Sequence, residues 1–331
     1  MQKLINNPKD IVNELIDGYV AANKDVVKRI QGYTITARKD TPVKDKVAIV
    51  TGGGSGHEPL FGEYVGKGMA DAAAQGQIFA SPSSAIILEA IKAVDGGKGV
   101  LLVYCNYAGD VLNFEMAQEM AVDAGFKVDQ VRINDDISSA SKDRREGRRG
   151  TTAAPLVLKI AGAASDAGLD FESLKKVVQK AVDNSRSLGV SLSACTLPET
   201  GLATFSLEDG KMEFGMGLHG EAGIKKVDIL SADDTAVTIL DLIIADLPFK
   251  SGDQVAALIN GYGSTTRMEM CIIARKLHSY LGEKQIAIHS TDIGEFCTSL
   301  EMAGISITLM KLDEELKKYY EMPCFAPGFR K

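Results

Sequence analysis

The sequence predicts an α/β protein built from two α/β domains. Short runs of apolar and β-branched residues alternate with longer segments whose apolar residues recur at helical spacing. This alternation is typical of parallel sheets with helices on both faces. Because 331 residues exceed what one hydrophobic core usually holds, we expect two domains rather than one.

The first half of the chain carries the clearer alternation. Its predicted strands are nearly continuous apolar runs, as in buried parallel sheets, so we expect a mainly parallel sheet here. The predicted strands are Lys46–Thr51, Gln77–Ala80, Gly99–Cys105 and Lys127–Ile133. The predicted helices are Ser84–Val94, Val111–Ala124 and Pro155–Ala167.

The second half predicts a mixed sheet. A helix from Phe171 to about Leu188, with one apolar stripe, precedes it. Lys211–Phe214 is expected to form a hairpin with the strand before it, across a turn at residues 208–210. The predicted strands are Val190–Thr196, Lys211–Phe214, Gln254–Asn260, Gln285–His289 and Ser306–Lys311, and the helices Asp233–Leu247 and Ser264–Leu281. We therefore expect domains at residues 1–185 and 186–331.

Charge and hydropathy exclude several classes of protein. A net charge of −7 and a pI near 5.3 argue against direct nucleic-acid binding. The longest apolar stretches, such as Ala236–Leu247, are too short or too interrupted to span a bilayer. The first 20 residues lack the basic and apolar regions of a signal peptide. We expect a cytoplasmic protein.

The cysteines and histidines give no metal-site pattern. Five cysteines show no C-x-x-C spacing, which fits free thiols in a reducing compartment. The four histidines form no H-x-x-x-H pair. We therefore expect no metal site in this chain.

The segment TGGGSGHEP at residues 51–59 is the most informative in the chain. Four glycines in five positions allow a tight turn and bring backbone N–H groups close to a small ligand. The segment lacks the G-x-x-x-x-G-K-[ST] pattern of a P-loop, and His57 and Glu58 break the G-x-G-x-x-G register of a dinucleotide fingerprint. Two interpretations stand: a plain turn with His57 in solvent, or a ligand cradle with His57 at its exit.

Two further loops carry candidate residues. Asn106–Asp110 follows a predicted strand and ends at Asp110, which either caps the next helix or faces a ligand. In the segment 215–223, glycines flank His219 on both sides, so His219 is either a turn residue or an accessible reactive group. The basic segment Arg144–Gly150 is a solvated charge run unless a phosphate or an acidic partner lies opposite.

Five motifs follow one another over nearly the full length: TGGGSGHEP (51–59), NYAGDVLNFE (106–115), EGRRG (146–150), KIAGAAS (159–165) and GMGLHGE (215–221). Together and in this order they resemble the dihydroxyacetone-binding K subunits of dihydroxyacetone kinases. The resemblance implies two α/β domains, a fold related to DegV-type proteins, a homodimer, and dihydroxyacetone bound between the domains. It implies that His219 forms a covalent hemiaminal with the ketone. It also implies that His57 and Asp110 hydrogen-bond the hydroxyls and that Gly53 and Gly54 give backbone contacts.

The implied chemistry is coherent. A neutral imidazole is a nucleophile, and a ketone flanked by hydroxymethyl groups is a good electrophile. If phosphoryl transfer follows, Asp110 is the general base for the terminal hydroxyl and His57 assists it. No segment resembles a nucleotide site, so ADP and magnesium would belong to a separate L subunit, recharged through the phosphoenolpyruvate phosphotransferase system.

Several loops depart from the kinase pattern while the ligand residues match. Cys105 and Ala108 stand where the kinases carry lysine and threonine in KNYTGD. The segments 81–86, 147–154 and 260–266 also differ, where kinases read SPTPDQ, GRRGVAGT and NGLGATP. A lysine beside the reacting hydroxyl would stabilise a transferring phosphoryl group, and a cysteine does not.

This asymmetry favours a second role for the family. A non-kinase paralogue binds dihydroxyacetone and activates a TetR-type transcriptional regulator, for which the pocket acts as a sensor. From the sequence we prefer this coactivator, with the kinase subunit as the alternative. A lipid carrier of the DegV type is a third class, disfavoured by the polar candidate residues.

Overall fold

A computed structural model describes residues 3–331 and divides the chain into two compact units. The N-terminal unit comprises residues 3–133, together with Ala154–Ala181 and Leu316–Lys331. The C-terminal unit comprises Asn134–Ala153 and Val182–Glu315. This division differs from the predicted ranges 1–185 and 186–331, because each unit takes in a segment from the other half of the sequence.

The N-terminal unit contains a mainly parallel six-stranded sheet, as predicted. Its strand order is β1-β2-β4-β3-β5-β6, and β4, β3, β5 and β6 pair in parallel. The strands are β1 Val27–Arg29, β2 Ile35–Arg38, β3 Ala48–Ser55, β4 Ala72–Ile78, β5 Val100–Cys105 and β6 Val128–Ile133. The helices are α1 Ile11–Ala22, α2 Ser84–Val94, α3 Ala108–Asp123, α4 Ala154–Asp166 and α5 Phe171–Asp183.

Both faces of this sheet are buried, which explains why its strands are continuously apolar. Val50 and Leu102 pack with α2 and α3 in one hydrophobic core. The alternate residues Ile49 and Leu101 point to the opposite face and are also fully buried. Helix α4, buried from Ala154 to Ser165, packs against the same strands β3 and β5.

The C-terminal unit contains a mixed six-stranded sheet, again as predicted. Its order is β11-β10-β12-β7-β8-β9, with only β10 and β11 parallel among these strands of the described chain. The strands are β7 Ser185–Ser193, β8 Lys211–Phe214, β9 Lys225–Asp228, β10 Gln254–Gly261, β11 Ala287–Gly294 and β12 Ala303–Leu312. The helices are α6 Ala232–Asp246 and α7 Arg267–Glu283. The last elements of the chain are α8 Glu314–Glu321, β13 Phe325–Ala326 and β14 Phe329–Arg330.

The predicted helix from Phe171 to about Leu188 is too long. Helix α5 ends at Asp183, and β7 begins two residues later at Ser185. The pairing of β7 with β12 decides the conformation here, and the Ser187 hydroxyl hydrogen-bonds the Thr308 hydroxyl at 2.7 Å. Tertiary pairing therefore overrides the local helical pattern.

Two negative findings concern residues 3–331. No helix there combines the length and the apolar character needed to cross a bilayer. None of the five cysteines in this range forms a disulfide.

Candidate functional site

The glycine-rich segment continues a strand rather than forming a turn. Strand β3 runs to Ser55 and includes Gly52–Gly54, which pair in parallel with β4. Within the segment only Gly56 has a left-handed backbone, with φ of 95°. The predicted turn over the first three glycines is therefore wrong, and the chain leaves the sheet at Gly56.

Close packing explains these glycines better than turn geometry does. A Cβ atom on Gly52 would lie 2.2 Å from the carbonyl oxygen of Ala74 on the neighbouring strand. A Cβ atom on Gly53 would lie 2.2 Å from the Phe61 ring. Both distances are well inside van der Waals contact, so these positions exclude every larger residue.

The candidate loops lie where two neighbouring strands diverge. Strand β3 pairs with β5 only over Ala48–Val50, so its later residues no longer pair with β5. The chain leaves β3 toward β4 on one side and leaves β5 toward β6 on the other. Such a switch point, at the carboxyl ends of parallel strands, is the usual place for a ligand in an open α/β sheet.

His57 is held at this edge by a stacked aromatic ring. Its side chain is buried, with 4% exposure, so the interpretation of His57 as a solvated turn residue is wrong. The imidazole stacks on Phe79, with ring centroids 4.8 Å apart and planes inclined by 17°. Phe79 has φ of 57°, an uncommon backbone conformation for a bulky residue. Sequence reasoning did not single out Phe79.

Asp110 lies inside the first turn of α3 rather than at its N-cap. The helix begins at Ala108 after Tyr107, so the expectation that it starts at Val111 is wrong. The Asp110 side chain is buried, with 8% exposure. A carboxylate in the first helical turn is stabilised by the helix dipole, which suits an ionised general base or hydrogen-bond acceptor.

Three loops of the N-terminal unit meet around these residues. A Cβ atom on Gly54, in β3, would lie 2.8 Å from the nitrogen of Ala80, which follows β4. A Cβ atom on Gly109, after β5, would lie 3.6 Å from the Cβ of Ser81. The loop after β4 therefore touches both the glycine segment and the start of α3.

His219 lies in the C-terminal unit, on the loop between β8 and β9. Its side chain is 27% exposed, and its Nδ1 lies 3.1 Å from Oε1 of Glu221. Because an ionised carboxylate only accepts, Nδ1 carries the proton and donates to Glu221. In this tautomer the lone pair is on Nε2, which is the nucleophilic nitrogen of the neutral ring.

Glu221 fixes both the backbone and the ring of His219. Its Oε2 accepts a hydrogen bond of 3.0 Å from the His219 N–H. Burial tends to raise the pKa of Glu221, but the hydrogen bond from the His219 ring, together with the positive charge of that ring when it is protonated, outweighs that and holds the pKa at about 2. Glu221 is therefore ionised at neutral pH. Sequence reasoning assigned it no role, although an acid two residues after a histidine was a visible signal.

The basic segment meets acidic partners at three of its arginines: the exposed Arg145 pairs with Asp183, and the buried Arg148 and the partly buried Arg149 have partners of their own. Arg148 forms a bidentate pair with Asp246, with distances of 2.8 and 2.6 Å. Arg149 lies 2.8 Å from Asp136. The solvated interpretation is therefore wrong for Arg148 and Arg149, and the open alternative of an acidic partner is correct.

The structure thus groups the predicted residues by unit. Gly53, Gly54, His57 and Asp110 belong to the N-terminal unit, and His219 belongs to the C-terminal unit. In the described part of the chain, no group of three or more His, Cys, Asp and Glu side chains is arranged to hold a metal ion.

The fold and these motifs define the class of protein. The Dak1 domain model matches residues 17–328, nearly the whole chain. The chain therefore belongs to the Dak1 domain family.

Three comparisons place it within that family. The chain is 44% identical over 331 residues to the dihydroxyacetone-binding subunit DhaK of PTS-dependent dihydroxyacetone kinase 2 of Listeria innocua, covering 100% of this chain and 99% of that subunit. It superimposes on the dihydroxyacetone kinase of C. freundii with a TM-score of 0.91 and 35% identity, over 98% of this chain and 60% of that kinase. It superimposes on the dihydroxyacetone kinase operon co-activator Dha-DhaQ with a TM-score of 0.88 and 28% identity, over 94% of this chain and 96% of that protein.

The predicted relation to the DegV fold is also confirmed. A DegV lipid-binding protein from Thermotoga maritima matches 81% of this chain and 99% of its own, with a TM-score of 0.52 and 11% identity. At this identity the likeness concerns the fold alone.

Proposed function

We propose that this protein binds dihydroxyacetone and captures it covalently at His219. The observation that carries the proposal is the contact between His219 Nδ1 and Glu221, which leaves Nε2 as a nucleophile. The ring is partly exposed, so a small ketone has access to it. The name of the Listeria relative, a dihydroxyacetone-binding subunit, supports the choice of ligand.

The capture step forms one bond and conserves charge. The Nε2 lone pair attacks the carbonyl carbon, and the electron pair of the C=O double bond moves to oxygen. The oxygen takes one proton from water, and the ring gives up its Nδ1 proton through Glu221 to water, so no net proton is gained or lost and the product is a neutral hemiaminal. While the ring is positively charged, the ionised Glu221 stabilises it. Glycerol has no carbonyl and is excluded from this step.

The residues of the N-terminal unit supply the non-covalent part of the proposal. His57 and Asp110 hydrogen-bond the two hydroxyl groups, and the backbone at Gly53 and Gly54 adds further contacts. Their positions, at the carboxyl ends of neighbouring strands, support this role. A three-carbon ligand offers little apolar surface, so it needs polar groups in fixed places.

The downstream role we propose first is the ketone-binding subunit of a phosphoenolpyruvate-dependent kinase. The support is the 44% identity with a kinase subunit over the full length, against 28% with the co-activator. Asp110 then acts as the general base and His57 assists it. The chain works in the cytoplasm as a homodimer, and ADP and magnesium are supplied by a separate L subunit.

The second candidate is a ligand sensor that activates a TetR-type regulator. Cys105 and Ala108, in place of the kinase lysine and threonine, favour it. Two other altered loops weigh less, because their new residues have local structural roles. Thr152 hydrogen-bonds the Thr308 hydroxyl, and Thr266 forms a capping box at the start of α7.

One reconstitution separates these roles. The chain is mixed with dihydroxyacetone, phosphoenolpyruvate, and the L and phosphotransferase subunits of the Listeria innocua kinase, with the Listeria K subunit as positive control. Phosphorylation at a rate near the control supports the kinase subunit. A ligand adduct without turnover, where the control turns over, supports the sensor. The absence of any adduct at His219 contradicts both.

A further inference from the structure

Arg149 spans the loop that carries His219. One of its terminal nitrogens donates to the carbonyl oxygen of Gly215 at 3.0 Å. The other lies 3.9 Å from Oε2 of Glu221. Gly215 precedes His219 in the loop between β8 and β9 and Glu221 follows it, so a single guanidinium contacts this loop on both sides of the histidine.

Arg149 is itself held in place by three neighbouring residues, Asp136, Ser138 and Ser139. Its Nε donates to Oδ2 of Asp136 at 3.0 Å, and its backbone N–H donates to the Ser139 hydroxyl at 2.9 Å. The Ser138 hydroxyl lies 2.5 Å from Oδ1 of Asp136 and holds that carboxylate in turn. Arg149 is 14% exposed and Asp136 only 6%, so this ion pair is well shielded from solvent.

The absence of a side chain at Gly217 allows Arg149 and Glu221 to come close together. A Cβ atom on Gly217 would lie 2.3 Å from the Arg149 nitrogen and 2.1 Å from Glu221 Oε2. Both charged groups therefore pack over the same α-carbon. Any side chain at this position would push them away.

We propose that Arg149 is a positioning residue that holds Glu221 against His219 and thereby keeps Nε2 as the nucleophile. This inference rests on the proposed capture of a ketone at His219. Without Arg149, one neighbour that holds the Glu221 carboxylate in place is lost, and its hydrogen bond to Nδ1 weakens. The ring then samples the tautomer with the proton on Nε2, which cannot attack a carbonyl.

The test compares Arg149→Met with Arg145→Met. Arg145 lies in the same basic segment, is about half exposed and pairs with Asp183 at 3.2 Å, so its replacement removes the same charge from a different contact. Long-range nitrogen–proton NMR on histidine-labelled protein reads the tautomer of His219, and His219→Asn assigns its signal among the four histidines. Arg149→Lys keeps the positive charge with a single donor group. It serves as a second variant if Arg149→Met does not fold.

We expect the unmodified protein and Arg145→Met to show the proton on Nδ1 alone. Arg149→Met should show a mixture of tautomers, and its rate of adduct formation should fall at least about tenfold. Gly217→Ala, which changes no charge, should shift the tautomer in the same direction. If Arg149→Met and Arg149→Lys both keep the tautomer of the unmodified protein, the positioning role is wrong.

The NMR readout separates this inference from the proposed function. A tautomer shift in Arg149→Met, with no adduct in the unmodified protein, contradicts ketone capture and supports the positioning role. An adduct in the unmodified protein, with no tautomer shift in Arg149→Met, supports ketone capture and contradicts the positioning role.

Discussion

Two segments of this molecule look alike in sequence and differ in construction. Residues 51–59 and residues 215–223 are both glycine-rich, and each contains one histidine. In the first, three glycines belong to a buried strand, and His57 is 4% exposed against an aromatic ring. In the second, Gly215 and Gly220 have left-handed backbones, and His219 is 27% exposed beside an ionised carboxylate.

Glycine therefore serves two physical purposes in this molecule. In the strand it lets neighbouring atoms approach more closely than any side chain allows, which makes a rigid wall. In the loop it permits backbone angles that other residues adopt at a cost, which shapes the chain around a reactive group. This difference agrees with the proposed function, in which the first segment makes non-covalent contacts and the second carries the covalent chemistry.

The largest effects are expected when each of the two histidines is replaced by asparagine. His219→Asn should abolish the covalent adduct, because no nucleophile remains. His57→Asn should keep the adduct and weaken binding, because only hydrogen bonds are lost. Intact-mass measurement under native conditions reads both. An adduct that survives in His219→Asn would contradict the assignment.

Asp110→Asn tests whether this residue of the N-terminal unit acts in phosphorylation and not in covalent capture. Asparagine cannot act as a general base, so phosphorylation in the reconstituted kinase should fall by about 100-fold or more. The adduct at His219 should remain, since Asp110 takes no part in forming it. Steady-state turnover and intact mass, measured on one preparation, check the two statements. If turnover and adduct were lost to the same extent, Asp110 would only bind the ligand and would not act as a general base.

The two kinds of glycine should respond differently to alanine. Gly52→Ala forces a Cβ atom to 2.2 Å from a backbone oxygen, and we expect the free energy of unfolding to fall by about 3 kcal/mol. Gly220→Ala, at φ of 89°, should cost about 1 kcal/mol and mainly slow adduct formation. Denaturant unfolding measures both. Gly18→Ala in α1 is the control, with open space around it and an expected gain of about 1 kcal/mol.

The smallest effect concerns the pH dependence of stability. The pKa of Glu221 is about 2 in the folded protein against an ordinary value of 4.5, so its ionised form favours folding. That contribution is complete above pH 4.5 and is lost as the pH falls toward 2. The difference in free energy of unfolding between the unmodified protein and Glu221→Gln should therefore shrink over this range. A constant difference would contradict the ion pair.

Much of the fold was visible in the sequence, because periodic apolar patterns report burial. Helix α2 was predicted at its observed bounds, Ser84–Val94, and both sheets have the predicted type. The apolar pattern gave a wrong prediction where pairing with a strand distant in the sequence determines the backbone conformation. Ser185–Leu188 continues a helical stripe, yet it forms the start of β7 because β12 lies beside it.

The candidate site was predictable in its residue types and not in its geometry. Glycine composition cannot distinguish a turn from a closely packed strand, since the deciding contact at Gly52 comes from Ala74 on another strand. Glu221 was within reach of sequence reasoning, being two residues from His219. The segment that contains Arg149 was also noticed, but its contact with Glu221 was not predictable, because the two residues are about 70 positions apart in the chain.

Detecting the bond between His219 and the ketone is the most direct test of covalent capture. Dihydroxyacetone labelled with carbon-13 at its carbonyl is added to protein with nitrogen-15 histidine, and carbon NMR is recorded. We predict that the carbonyl signal is replaced by that of a carbon bonded to oxygen and nitrogen, with one-bond coupling to Nε2 of His219. A signal from the unreacted ketone alone, or a coupling to Nδ1, would contradict the account.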